Sequence, residues 1–352
     1  MERKDISKKD QIILQQLEVI RTMTENNLNR MGADFWGTFP LDGGTAPEAP
    51  KPTVPADKAA PEKGNTAAST GNDDTAPKEA ETPPPEKIED LQAELNGYIG
   101  LDAVKKEVRN LINMVTVYQM REKNGLPTTD LSLHMVFSGN PGTGKTTIAR
   151  LMARIYHSLG ILSKGQLVEV DRSGLVAGYV GQTALKTSKV IEKALGGVLF
   201  IDEAYALYRG GEDSFGLEAI DTLVKGIEDH RDELVVILAG YTHEMQVFLS
   251  SNSGLASRFP NQIEFPDYTG EELYDITLSI AKSKGYTLDA ACQMPLTAYY
   301  ARKQAEDAAT NGNGRMARNT LEKAILNQSK RLVADPDADL AALLPGDFEL
   351  DE

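Results

Sequence analysis

The chain has 352 residues and a formal net charge of −15, a balance that repels phosphate backbones and argues against nucleic acid as a partner unless a local basic patch overrules the total. A single cysteine, Cys292, excludes an internal disulfide and a thiolate metal cluster, and the four histidines show no H-E-x-x-H spacing. No apolar run approaches the roughly 18 residues that span a bilayer, and the opening MERKDISKKDQ has no apolar signal-type core, so membrane insertion is not expected and the cytosol is the simplest compartment.

Residues 1–37 read as a helix with a loose tail. Asp5 or Ser7 can cap it, and Ile13, Leu17, Ile20, Thr24, Leu28 and Met31 recur at steps of three and four. That stripe calls for a partner surface, on the main body, on another copy or on another protein. Residues 38–87 form a linker rich in Pro, Ala and Thr. Between Pro40 and Glu86 lie ten of the chain's 17 prolines, and Leu41 and Val54 are the only large apolar residues there. So little apolar surface cannot offset the entropy of ordering, and disorder is expected.

From Ile88 the pattern becomes globular. Short runs rich in β-branched residues, LHMVFSG, QLVEVD, GVLFIDE, ELVVILAG and NQIEFPDY, alternate with helical stretches. This predicts an α/β fold with a parallel sheet covered by helices on both faces over 88–268. After Thr269 strand signals stop, and three helical stretches predict a small α-helical domain over 269–335. The acidic tail, 336–352, is expected to fray.

The sharpest motif is GNPGTGKTT, Gly139 to Thr147. It fits G-x-x-x-x-G-K-[ST], follows an apolar strand and opens a helix, as a phosphate-binding loop requires. Gly142 and Gly144 let backbone N–H groups turn inward on a phosphate at a helix N-terminus, where the dipole favours negative charge. Asn140, Pro141 and Thr143 complete the turn, and Thr147 continues it into the helix. Lys145 adds a cation for the outer phosphates, and the Thr146 hydroxyl suits Mg²⁺. The expected ligand is therefore a phosphate group, with Mg²⁺. The absence of N-K-x-D argues against GTP.

In GVLFIDEAYAL, Asp202 and Glu203 emerge at the C-terminal end of a buried strand, where ligands gather in open α/β sheets. Asp202 would orient Mg²⁺ through its water shell and Glu203 would polarise an attacking water. Arg258, in GLASRFP, is either an arginine finger or a surface arginine paired to a carboxylate. Arg315 and Arg318, in NGNGRMARN, either reach back to the nucleotide or sit exposed on an amphipathic helix.

Taken in order, GYIGL, GNPGTGKTT, GYVGQT, GVLFIDEA, GLASRF and GNGRMARN resemble the AAA+ ATPases, over about Leu91 to Val333. GGVLFIDEAYAL, VVILAGY and IEFPDY are most similar to the branch that holds the red-type Rubisco activases and the stage V sporulation protein K. The resemblance implies an adenine pocket at Ile99 and Gly100 and phosphate and Mg²⁺ binding at Lys145 and Thr146. It implies Asp202 and Glu203 as metal and water residues, and Arg258 acting in trans within a homo-oligomeric ring, usually of six. Arg315 would be the lid sensor, with Arg318 the second choice. Tyr241 stands where many relatives carry a small polar residue and is left as a weak candidate for that role. A loop aromatic most often folds back onto the core. The resemblance instead implies that Tyr179 and Val180 line a central pore and grip a protein client. The competing readings are a nucleotide-gated scaffold and a nucleic-acid-handling ATPase.

Overall fold

The computed structural model describes residues 84–128, 131–334 and 338–350. The helix expected over 1–37 and most of the linker expected over 38–87 lie outside the described residues. The last residues of that linker are described, and Glu86 is engaged: both its carboxylate oxygens accept from Arg154 at 2.7 Å, and Glu94 accepts from the same guanidinium at 2.8 Å.

Helices α1 (Ile88–Gly97) and α2 (Asp102–Lys123) come first. Strand β1 (Met135–Gly139) then leads through the glycine-rich turn into α3 (Lys145–Ser158). Next are β2 (Leu167–Val170), a single turn α4 (Arg172–Leu175), α5 (Thr183–Ala194) and β3 (Val198–Ile201). They are followed by α6 (Ser214–Asp229), β4 (Val235–Gly240), α7 (Thr242–Ser251), α8 (Ser253–Arg258) and β5 (Asn261–Phe265). The five strands form one parallel sheet in the order β2-β3-β4-β1-β5.

Burial explains why these runs are strands. Every residue of β3 and β4 is buried, as a strand covered on both faces requires, whereas the edge strands β2 and β5 are only partly buried. Alternate residues feed two separate cores. Val198, Phe200, Ile237 and Phe137 join α1, α2 and α3 on one face, while Leu199, Ile201, Val236 and Leu238 join α5, α6 and α7 on the other.

A helical unit follows, as expected: α9 (Gly270–Ser283), α10 (Gln293–Asn311) and α11 (Gly314–Ala334). The first opens on a capping box, in which Thr269 and Glu272 each accept from the other's backbone N–H. Two expectations need correction here. Strand pairing does not stop at Thr269, because β6 (Thr287–Leu288) pairs in parallel with β7 (Ala342–Leu343). Nor does the acidic tail fray through its described length. Asp347 is buried and accepts from Arg331 at 2.9 Å, and Phe348 is buried against the core. Burial pushes the Asp347 carboxyl up, but the Arg331 and Leu344 hydrogen bonds outweigh it and hold the group below its ordinary range.

Candidate functional site

Parallel strands deliver their C-terminal ends to one edge, so the turns after β1, β3 and β4 converge there. A cleft of about 260 Å³ opens at that edge. Its floor is the glycine-rich turn with Lys145, Thr146 and Thr147. Asp202, Glu203 and Tyr241 form one wall, and Arg315 and Arg318 close it from the helical unit. Residues as far apart in the sequence as Gly139 and Arg318 thus meet in one cavity.

Each part has a local cause. Gly139, Gly142 and Gly144 all take positive φ (143°, 73° and 93°). A Cβ on Gly142 would stand 2.1 Å from the Gly312 carbonyl oxygen, so the turn and the helical unit meet backbone to backbone only because this residue has no side chain. Lys145 donates to the carbonyl oxygens of Gly139 and Asn140, each at 2.7 Å. Burial pulls its ammonium down to about 8, with Asp202 opposing the shift and Arg315 adding to it. Asn140 and Thr143 brace the turn rather than line the cleft. Asn140 donates to Asp267 at 2.9 and 3.0 Å, and the buried Thr143 hydroxyl donates to the Asn140 carbonyl.

Glu203 stands at φ 48°, a left-handed conformation that a glutamate adopts at a cost. The Asp202 carboxylate accepts from its N–H at 3.0 Å. The Tyr205 ring lies 5.7 Å from the Tyr241 ring, and burial pushes its phenol up to about 12, with the charge of Glu203 adding to the shift. Thr146 and Asp202 supply hard oxygen donors of the kind Mg²⁺ takes. Among the described residues no three His, Cys, Asp or Glu side chains form a metal cage, so a metal at this edge would take its remaining ligands from phosphate and water.

Ile99 and Gly100 do not line the cleft. Gly100 packs against Tyr268, between the domains, and against Glu272 of the helical unit, and Ile99 lies against the first core. Arg258 stands at the opposite end of the sheet from the cleft. Its carbonyl accepts from Ser132, three residues before β1, and its guanidinium donates to Glu228 at 3.2 Å and to the Gly254 carbonyl at 3.1 Å. Five residues of β1 separate the two edges by roughly 16 Å. Tyr179 and Val180 sit at the tip of the 176–182 loop, 74% and 90% exposed. The tip is free, but its base is tied: Thr183 accepts from the Ala177 N–H, and Lys186 donates to the Ser173 and Val176 carbonyls.

Three residues that sequence reasoning did not single out belong to this region. Arg150 lines the cleft one turn beyond Thr146, on the same face of α3, and helical spacing could have found it. Asp267, just past the C-terminal end of β5, could have been found from the same edge rule that found Asp202. Arg172 donates to the carbonyls of Ala206 and Leu207 and forms an ion pair with Asp213 at 2.8 Å, tying the stem of the Tyr179 loop to the turn that follows Glu203. Its partners lie far along the chain, and no local pattern signals them.

The ATPase family associated with various cellular activities (AAA) matches residues 135–267, and the AAA lid domain matches residues 269–352. Stage V sporulation protein K of Bacillus subtilis is 44% identical over 247 residues, covering 70% of this chain and 77% of that protein. Protein CbbX of Cereibacter sphaeroides is 45% identical over 248 residues, covering 70% and 79%. The ESX-3 secretion system protein EccA3 of Mycobacterium tuberculosis is 41% identical over 257 residues, 70% of this chain and 41% of its own. A solved mutant of Thermotoga maritima RuvB overlaps with a TM-score of 0.47 at 19% identity, over 72% of this chain and 69% of that one. A P-loop at the mouth of a parallel sheet, an acidic pair at the end of β3, with only β4 between it and β1, and a helical lid over both make this chain an ATP hydrolase of the AAA family, of the CbbX and stage V sporulation protein K type.

Proposed function

We propose that this ATPase works as a ring of identical subunits, six in number, and uses ATP hydrolysis to pull on a protein client held by Tyr179 and Val180 in the central pore. The observation that carries the reading is the Tyr179–Val180 tip: a large apolar pair left in solvent on a loop whose stem Arg172 ties to the turn after Glu203. Stacking and apolar contact need no particular partner sequence, which suits a grip on varied polypeptide.

In this reading the backbone N–H groups from Gly142 to Thr146 hold the phosphates and Lys145 neutralises their outer oxygens. Thr146 and Asp202 would hold Mg²⁺, which would supply positive charge against the phosphates. Glu203 accepts the proton of the attacking water. Arg315 meets the γ-phosphate from the lid, with Arg318 behind it. Arg258 lies too far from its own cleft to act there, which supports action on a neighbour's ATP and therefore a ring.

The test has two arms. Glu203→Gln should bind ATP without turning it over and retain its client for identification by pull-down. Tyr179→Ala should hydrolyse ATP at the parent rate and fail to process that client. Unaltered client processing by Tyr179→Ala would overturn the pore assignment, and a monomer in saturating ATP would overturn the ring.

A further inference from the structure

The motif NGNGRMARN contributes its arginines to the cleft, but its most constrained residue is Asn313. The side chain is fully buried, at φ 46°, a left-handed conformation that asparagine tolerates better than most residues. It uses its whole hydrogen-bonding capacity on three parts of the fold. Its Oδ1 accepts from the Tyr268 N–H at 3.0 Å and from Gln304 Nε2 at 2.7 Å. Its Nδ2 donates to Asp267 Oδ1 at 2.8 Å and to the Pro141 carbonyl at 3.3 Å. The amide orientation is fixed by its neighbours, because a backbone N–H can only donate and a carboxylate only accept.

These bonds join the P-loop, the segment between the domains and the lid at one point. Asp267 also accepts from Asn140 of the P-loop, and the Tyr268 hydroxyl donates to the Thr143 carbonyl at 3.3 Å. Next door, the Gly314 N–H donates to the Gly142 carbonyl at 3.1 Å. Two successive P-loop carbonyls, Pro141 and Gly142, thus take their donors from the lid, and Arg315 is the residue immediately after that contact.

We propose that Asn313 is a positioning residue that locks the lid to the P-loop, so that the conformation of the phosphate-binding turn sets the orientation of the lid and the place of Arg315 over the cleft. Arg315 facing the phosphates is the reading given above. The lock itself rests on the Asn313 contacts alone.

The test is steady-state ATP hydrolysis by the full chain, with ADP affinity and melting temperature measured alongside, for Asn313→Asp, Asp267→Asn and both together. Asn313→Asp sets a buried carboxylate against the half-buried carboxylate of Asp267 and removes the donor to Pro141. It should lower kcat by about tenfold or more while ADP affinity, carried by the P-loop itself, changes by less than about threefold. In the double variant carboxylate and amide have changed places. The carboxylate still accepts from Tyr268 and Gln304 and now also from the amide at 267; only the 3.3 Å bond to Pro141 stays lost, so kcat should return to within about threefold of the parent. A merely structural role predicts a lowered melting temperature and ADP binding lost in step with kcat, and that result would overturn the proposal. So would a kcat within about twofold of the parent in Asn313→Asp, or no recovery in the double variant. If Arg315→Ala leaves kcat unchanged while the exchange still rescues, the lock stands and the Arg315 assignment falls.

Discussion

Two glycine-rich turns on this chain look alike in sequence and are built in opposite ways. In the P-loop, a Cβ on Gly139 would stand 2.3 Å from the Phe265 carbonyl oxygen and one on Gly142 would stand 2.1 Å from that of Gly312. In the 176–182 loop, Gly178 and Gly181 have no described atom within 4 Å of where a Cβ would be. The first turn needs glycine for close approach, and the second for conformational freedom. One is locked against two domains, and the other carries its exposed tyrosine on a tied stem and a free tip. On the proposed reading, chemistry that must place charges accurately sits on the braced turn, and contact with variable surfaces would sit on the free one.

The comparison is sharpened most by the base proposed at Glu203. Glu203→Gln would remove the proposed proton acceptor without changing size, and kcat should fall by about 10²- to 10⁴-fold. Nucleotide affinity should hold, since the braced turn and not Glu203 carries binding. Equal loss of kcat and affinity, measured by single-turnover hydrolysis and nucleotide titration, would show that the two parts of the cleft are not separable.

Gly142→Ala tests the bracing directly. The new Cβ meets a backbone carbonyl, which no side-chain rotation can relieve, and alanine is strained at φ 73°. Together these should weaken ATP binding on the order of a hundredfold. An alanine there that binds ATP as the parent does would show that the lid contact is loose.

Lys145 gives a smaller, pH-dependent effect. Burial lowers its ammonium to about 8, and the phosphates of a bound nucleotide favour the charged form. The sign follows: as pH rises through 8 the free protein loses this proton, binding must restore it, and affinity falls. From about pH 7 to about pH 9 the charged fraction drops about tenfold, and ADP affinity should drop by about the same factor. Calorimetry in buffers of different ionisation enthalpy should register proton uptake on binding near about pH 8–9. A flat profile would place the lysine's titration well above that window.

Much of this division was legible in the sequence. The five strands were readable because parallel strands covered on both faces become unbroken apolar runs, as Val198–Ile201 shows with all four residues buried. The P-loop and Asp202–Glu203 were readable because local spacing carries their chemistry. The lock was not. Asp267 lies 127 positions from Asn140 and 46 from Asn313, and each of the three alone looks like an ordinary polar turn residue. The tail misled for a related reason: its acidity suggests solvation, yet Asp347 is buried by pairing with Arg331, which only the folded chain brings near.

The smallest effect marks the other end of the comparison. Gly178→Ala adds a methyl group where no described atom lies within 4 Å, and Gly178 is not among the glycines at positive φ. ATP turnover should stay within about twofold of the parent and the melting temperature should hold, because surface substitutions away from special geometry rarely exceed about 0.5 kcal/mol. Gly181, at φ 78°, is the internal control: alanine there strains the backbone although space is open. If Gly178→Ala slows hydrolysis as strongly as Gly142→Ala, then the loop tip is seated against something in the working protein, and its freedom in a single chain is lost on assembly. If Gly181→Ala alone slows it, the requirement is for the shape of the turn that presents Tyr179, and the space around it is immaterial.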